Sequence, residues 1–307
     1  MCKMNGFREY FMYLPMLVMS ILVISCADQP SQESDDQDEM IEVGTEDDGQ
    51  IEDQEHYTIP SPVEMMEIIR ESGTEFKEEL LCDPEIHNKY VDLKGKSIGM
   101  GIYVADLAYA VSFNRLQETI QNFNVIIKMA DEVGIGSSFD ERLMERIKNN
   151  LNHEDSLIVI SDHSYYSIIR TLEENDRGAV VGMMAAGGFL ETMFIATQSV
   201  DKFDENDHLM QRIADQKLVY ENIMFYLGQH NDDQAVEWTI QDFESLREIF
   251  NEISDTRMNS KFEESESGKR VLGGKGGVYI TEQEFEQLRE RISFLRNAIT
   301  FNSPVPQ

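Results

Sequence analysis

From Pro60 to Ile299 the apolar residues recur every three to four positions, the spacing that places them on one face of an α-helix. Pro62–Ser72, PVEMMEIIRES, opens with a proline in the first turn after Ser61, an N-cap arrangement. Glu75–Leu81 forms a short amphipathic piece, and Asp83-Pro84 and Lys94-Gly95 punctuate the stretch after it. Leu116–Val133 predicts a helix with Ile120, Phe123, Ile127 and Ala130 inward. Glu154–Glu174 predicts another, with Leu157, Ile160, Ile168, Ile169 and Leu172 inward. Asp207–Gln229, Gln234–Ser254 and Thr281–Ile299 continue the pattern. Ser138-Phe-Asp-Glu141 and Thr281-Glu-Gln-Glu284 have capping-box spacing and start helices, the first running to Leu151.

Two stretches break the alternation by being apolar all round. Ile98–Phe113, IGMGIYVADLAYAVSF, has Asp106 as its one charge, and Gly178–Val200 has Glu191 as its one charge in 23 residues. A helix without a polar face is enclosed by other helices. Strand signals are confined to Arg270–Leu272 and Val278–Ile280, which flank a Gly-Gly-Lys-Gly-Gly run as one small hairpin. No fixed-period repeat emerges. The chain therefore predicts an all-α fold: a single multi-helix domain of helical hairpins packed around a buried central helix at 178–200, with one small β-hairpin near 270–280.

On that central helix, Gly178, Gly182, Ala185, Thr192, Ala196 and Ser199 fall within one stripe, interrupted by Phe189, and small residues in a row let another helix approach closely. Its length would also span a bilayer. Gly187-Gly188, the central Glu191 and the amphipathic neighbours suit a protein core better. Trp238 and most of the 17 Met also lie at helical spacing, a core pattern.

The first 57 residues obey different rules. Lys3 and Arg8 precede a 15-residue apolar run, Phe11–Ser25, too short for a comfortable membrane span but right for a signal sequence. It ends in Val23-Ile24-Ser25-Cys26, which resembles the lipobox of bacterial lipoproteins; the resemblance implies cleavage before Cys26 and acylation of its thiol. Each buried CH₂ then contributes roughly 0.8 kcal/mol, and two or three acyl chains hold a protein stably on a bilayer. Ala27–His56 carries 13 Asp/Glu and no Lys or Arg, and reads as a linker too polar to fold. Its Ser34–Glu39 segment, SDDQDE, resembles the surface-export tag of Bacteroidota lipoproteins and equally suits a charged spacer. The domains expected are a signal peptide (1–25), a lipidated cysteine and acidic linker (26–57), a helical domain (58–302) and a tail (303–307).

A formal charge of −32 excludes nucleic acid as a partner, because phosphate backbones require a basic surface. Cys82 is the one cysteine inside the helical domain, so no intrachain disulfide supports it. The six histidines show no metal-binding spacing, no Gly-x-Ser-x-Gly elbow is present, and Gly268–Gly277 lacks the ending of a phosphate loop. No cofactor, metal or catalytic residue is expected. What remains is a pair of carboxylates on the two apolar helices. Tyr103 and Tyr109 bracket Asp106 at three-residue spacing, so Tyr103, Asp106, Tyr109 and Glu191 are candidate ligand-binding residues. A buried Glu191 must be neutral or bonded to Arg, Lys, Tyr or an amide.

Ser61–Gly73, Gly101–Ala110 (GIYVADLAYA) and Ala185–Gln198 (AAGGFLETMFIATQ) resemble a group of Bacteroidota helical lipoproteins of unknown function. A Gly-Val-Tyr-x-Ala-Asp-Leu-x-Tyr core and a Gly-Gly-Trp-Ile-Glu core mark that group; here the aromatic of the second core is Phe189 and its acid is Glu191. The resemblance implies an exported all-helical lipoprotein with no established activity, and it adds no catalytic assignment. The expected protein is a non-enzymatic outer-membrane lipoprotein facing periplasm or cell surface. Its partners would be the membrane, through Cys26, and an envelope protein, peptide or glycan. The alternatives are a small-ligand binder, or a carboxylate-based hydrolase, using Tyr103, Asp106 and Glu191.

Overall fold

A computed structural model describes residues 59–136, 145–147, 149–150, 153–255, 262–264, 270–272 and 278–301. Several features expected from the sequence lie outside the described residues: the signal sequence, Cys26, the acidic linker, the Ser138–Glu141 capping box, most of Gly268–Gly277 and the 303–307 tail.

Helix α1 (Val63–Glu71) starts where Ser61 Oγ accepts the Val63 N–H at 3.3 Å, and it buries Val63, Met65, Met66, Ile68 and Ile69. Gly73, at φ 82°, turns the chain out of it. Two 3-10 turns follow, Glu78–Leu80 and Pro84–Lys89, the second capped by the Asp83 carboxylate accepting from Glu85 N–H. Helix α2 (Leu93–Ser112) begins a turn earlier than its apolar run, because the Asp92 carboxylate accepts the Gly95 N–H at 2.7 Å and draws Lys94-Gly95 into the first turn. Asn114, at φ 54°, makes the corner into α3 (Leu116–Glu132). Then come α4 (Glu154–Glu174), α5 (Gly178–Ser199), α6 (His208–Gly228), α7 (Gln234–Glu244) and α8 (Arg247–Glu252). Helix α9 (Glu282–Thr300) opens with the complete Thr281/Glu284 capping box.

Four expectations need correcting here. Gln234–Ser254 is not one helix: it breaks at Ser245-Leu246 into α7 and α8 and ends in a strand, β1 (Ser254–Asp255). The expected 270–280 hairpin does not form. Strand β3 (Arg270–Leu272) pairs with β2 (Phe262–Glu264), whereas β4 (Val278–Tyr279) pairs with β1. Both ladders are antiparallel and nested about the same centre, with Phe262 opposite Leu272 inside and Ser254 opposite Tyr279 outside. Finally, the inward face of α3 is rotated by about one residue. Asn122, Phe123, Val125, Ile126, Met129 and Ala130 are buried while Ile120 is 42% exposed, because its side chain edges a cavity between α2, α3 and α4. Trp238, too, is 47% exposed, since α7 turns Val236, Thr239 and Phe243 inward.

Helix α5 is the centre of the fold. It is long and apolar enough to cross a membrane, yet it is enclosed by α2, α6, α9, α1 and α4. Its closest neighbour is α2, and the closeness rests on two glycines. A Cβ at Gly187 would fall on the Ile98 carbonyl, and one at Gly101 would fall on the Met184 carbonyl. The tight approach therefore lies on the Gly187 side of the helix and not along the Gly182–Thr192 stripe where small residues predicted it. The stripe itself meets the His230 ring at Gly178 and Leu227 at Gly182; its middle borders a cleft.

Candidate functional site

The contact between α2 and α5 brings Asp106 and Glu191 together, both fully buried. Arg296 of α9 completes the group. Its Nε donates to Glu191 Oε2 at 3.0 Å and its Nη2 to Oε1 at 2.9 Å, a bidentate fork. The same Nη2 reaches the Leu80 carbonyl at 3.2 Å, and the guanidinium lies 4.5 Å from the centroid of Phe194, one turn beyond Glu191. Asp106 Oδ2 accepts the Cys82 N–H at 2.9 Å.

The other Asp106 oxygen meets no N–H donor, and the group it shares hydrogen bonding with is the Glu191 carboxyl. Two acceptors in contact need a proton between them. Burial, first, and the adjacent Glu191 charge, second, push Asp106 well above the usual carboxylate range, against the opposing pull of Arg296 and the Cys82 amide. The raised affinity of Asp106 for its proton favours its neutral form, beside the Glu191 carboxyl that the guanidinium fork holds.

Tyr103 is the third expected member, one step removed. Cys82 Sγ lies 3.7 Å from its hydroxyl, which donates to the Asp83 carbonyl at 2.7 Å. Burial, followed by Asp106 and Glu191, raises the Cys82 thiol far above its ordinary value, so it is an un-ionised core group. Tyr90 stands beside the same cluster with its hydroxyl buried and unpartnered. Tyr109 belongs elsewhere. Its ring stacks on Phe76 at 4.8 Å and its hydroxyl accepts the Lys77 N–H at 3.0 Å, away from the carboxylates.

Arg296 escaped sequence reasoning although its signal was present. It sits four residues after Ile292 on the face formed by Phe285, Leu288, Ile292 and Leu295, an arginine in the middle of an apolar stripe. The Cys82 amide and Leu80 carbonyl could not have been found, since backbone groups of an irregular segment carry no side-chain signature. Together these contacts tie the 75–92 segment and α9 to the α2–α5 pair. Among the described residues, no three His, Cys, Asp or Glu side chains converge in a way that could hold a metal.

Open space lies to either side of the cluster. A cavity of about 280 Å³ between α2, α3 and α4 is lined by residues such as Val104, Leu107, Phe123, Leu157 and Ile168. Its hydroxyls at Thr119 and Ser164 bond the Arg115 and Ile160 carbonyls of their own helices. A cleft of about 210 Å³ between α1, α5 and α6 has Ala185, Gly188 and Thr192 as its floor. Neither is lined by Tyr103, Asp106, Tyr109 or Glu191. Comparison with protein-family models, curated proteins and solved structures finds no match.

Proposed function

We propose that this chain is a lipid-anchored, non-catalytic envelope protein of the Bacteroidota lipoprotein type. It is tethered to the outer membrane through Cys26 and binds an envelope protein, peptide or glycan through its helical domain. The observation that supports a non-catalytic role is the closure of the carboxylate cluster. Acid–base catalysis by two carboxyls needs them to reach a substrate with separated proton affinities. Here both are fully buried, with Glu191 taken up by the Arg296 fork and Asp106 Oδ2 by the Cys82 amide. Such a cluster serves to fix how α9 and the 75–92 segment sit on the core.

The tether is tested by Cys26→Ala in cells: the protein should move from the membrane to the soluble fraction, and retention at the membrane would defeat this reading. Partner binding is tested by photo-crosslinking amino acids placed at Trp238 and Phe225, each 47% exposed. A discrete adduct on the tethered protein that disappears for Cys26→Ala supports the proposal. A small ligand at Tyr103, Asp106 and Glu191 would require the cluster to open. The cavity and the cleft that a small molecule could enter are lined by other residues.

A further inference from the structure

Tyr165, on the inner face of α4, is 6% exposed, and its ring meets that of Tyr166 edge-on at 5.4 Å. Its hydroxyl finds no hydrogen-bond partner among the described residues. It is not sealed in, however. The unpartnered hydroxyls that the fold closes off from water-sized space belong to Tyr90, Ser112, Thr192 and Ser199. That of Tyr165 is not among them, and Tyr165 lines both the cavity between α2, α3 and α4 and the cleft between α1, α5 and α6. Burial, first, and then Tyr166 and Asp162 push the phenol far above its ordinary range, so it keeps a proton to donate. A buried donor left unpaired loses about 1–3 kcal/mol of solvation.

The cavity between α2, α3 and α4 suits water poorly. Val104 and Leu107 of α2, Phe123 and Ile126 of α3, and Leu157 and Ile168 of α4 supply most of its wall. Thr119 and Ser164 have given their protons to backbone carbonyls at 2.8 and 2.6 Å, and the remaining polar residues, Asn124 and Ser161, are in contact with solvent. A buried water is held by about three hydrogen bonds, so water deep in this space meets too few partners to settle. None of the lining residues is charged, and a charged ligand there would be desolvated without compensation. An uncharged hydrocarbon has no such difficulty. At about 280 Å³ the cavity is nearly twice the roughly 150 Å³ of an apolar cavity that takes up benzene, so a two-ring molecule of about nine or ten carbons is of the right size.

We infer that the α2–α3–α4 cavity is a binding site for an uncharged, two-ring-sized hydrocarbon carrying one hydrogen-bond-accepting oxygen, a ketone in the simplest case. The Tyr165 hydroxyl donates to that oxygen, and the hydrocarbon body lies against α2 and α3. The site is independent of the lipid tether and of any protein partner, so its failure would leave those readings untouched.

The test uses the full chain in lipid nanodiscs with ¹³C-methyl labels on Ile, Leu, Met and Ala. Leu107, Ile126, Leu157 and Ile160 report the cavity, and Met65 and Ala185 report the cleft that shares Tyr165 with it. 1-Indanone and its hydrocarbon counterpart indane are titrated at matched aqueous concentrations. Both should shift the cavity methyls saturably and leave the cleft methyls in place. Tyr165→Phe, which keeps the ring and removes the hydroxyl, should weaken 1-indanone about fivefold or more and change indane less than about twofold. Leu157→Phe, which takes up cavity space, should weaken both, with native methyl dispersion showing that each variant keeps the fold. No saturable shift in the wild type, shifts confined to Met65 and Ala185, or a ratio of the two affinities unchanged by Tyr165→Phe would overturn the assignment.

Discussion

On one side of α5, Gly187 and Glu191 press against α2, with backbone meeting backbone and every charge answered by another. On the other, Ala185, Gly188 and Thr192 border a cleft in which a hydroxyl is left unanswered. Both sides use small residues. On the α2 side their smallness is a packing requirement, because a neighbouring carbonyl occupies the place of the missing Cβ. On the α1–α6 side it makes room. Residue size alone therefore does not say whether a helix face is a seam or a pocket; the partner's position does.

The sharpest way to break the sealed side is to remove its cation. Arg296→Met leaves Glu191 fully buried beside Asp106 without its fork, and breaking a buried pair by removing one partner costs about 3–5 kcal/mol. Chemical denaturation should show a loss of that size. Adding Glu191→Leu should recover most of it, because the two changes together replace a salt bridge by apolar contacts of similar volume. If Arg296→Met alone were nearly neutral, the cluster would not hold α9 in place.

Next in size are the glycines. Gly187→Ala and Gly101→Ala both force a methyl onto a backbone carbonyl of the other helix, and each should cost about 3 kcal/mol, the upper range for overpacking. Gly188→Ala, one residue from the first, should change stability by less than about 1 kcal/mol in either direction, as its Cβ would find ordinary contact distances. Thermal melts of the three variants side by side measure the contrast directly. Equal losses at 187 and 188 would mean that the two sides of α5 are not distinct.

This contrast also marks how far the residues could be read in advance. The enclosure of Gly178–Val200 and of Ile98–Phe113 was legible, because a helix without a polar face has nowhere else to go. So was the need of Glu191 for a partner, since burial of a lone carboxylate is too costly. Which partner was not legible: Arg296 lies 105 positions away, and the pairing depends on how α9 crosses α5. The side of α5 that α2 approaches was misread, because the stripe of small residues was judged by composition while the approach is decided by Gly187 facing Gly101's helix. The strand segments near 270 and 280 were found, but register is a property of pairs, and their partners at 262–264 and 254–255 carry no strong strand pattern.

A smaller effect concerns the proton on Asp106. Burial and Glu191 raise its folded-state pKa above the unfolded value of about 3.9. The folded chain thus keeps a proton that the unfolded chain gives up. That contribution is complete below about pH 4 and is lost as pH rises toward the folded-state pKa. Asp106→Asn supplies a permanent donor to Glu191 while its carbonyl oxygen still accepts the Cys82 N–H. Relative to the wild type, the variant should therefore gain stability as pH rises from about 4 toward the raised pKa of Asp106, as read from melting temperatures along a pH series. The acidic residues common to both proteins cancel in the difference. A difference that stays flat with pH would place the proton elsewhere.

The smallest expected effect separates the two faces most finely. Thr197 and Thr192 lie on one helix and are both buried, at 0% and 5% exposure. Thr197 Oγ1 donates to the Met193 carbonyl at 2.8 Å, whereas Thr192 Oγ1 donates to nothing. Replacing each by valine removes a hydroxyl at constant shape. For Thr197 this forfeits a made hydrogen bond and should lower stability by about 1 kcal/mol. For Thr192 it removes a buried group that has no bond to lose, so the protein should be unchanged or up to about 1 kcal/mol more stable. Urea midpoints at constant slope distinguish the two. A loss at Thr192 matching that at Thr197 would mean that its hydroxyl turns back onto the Gly188 carbonyl in solution.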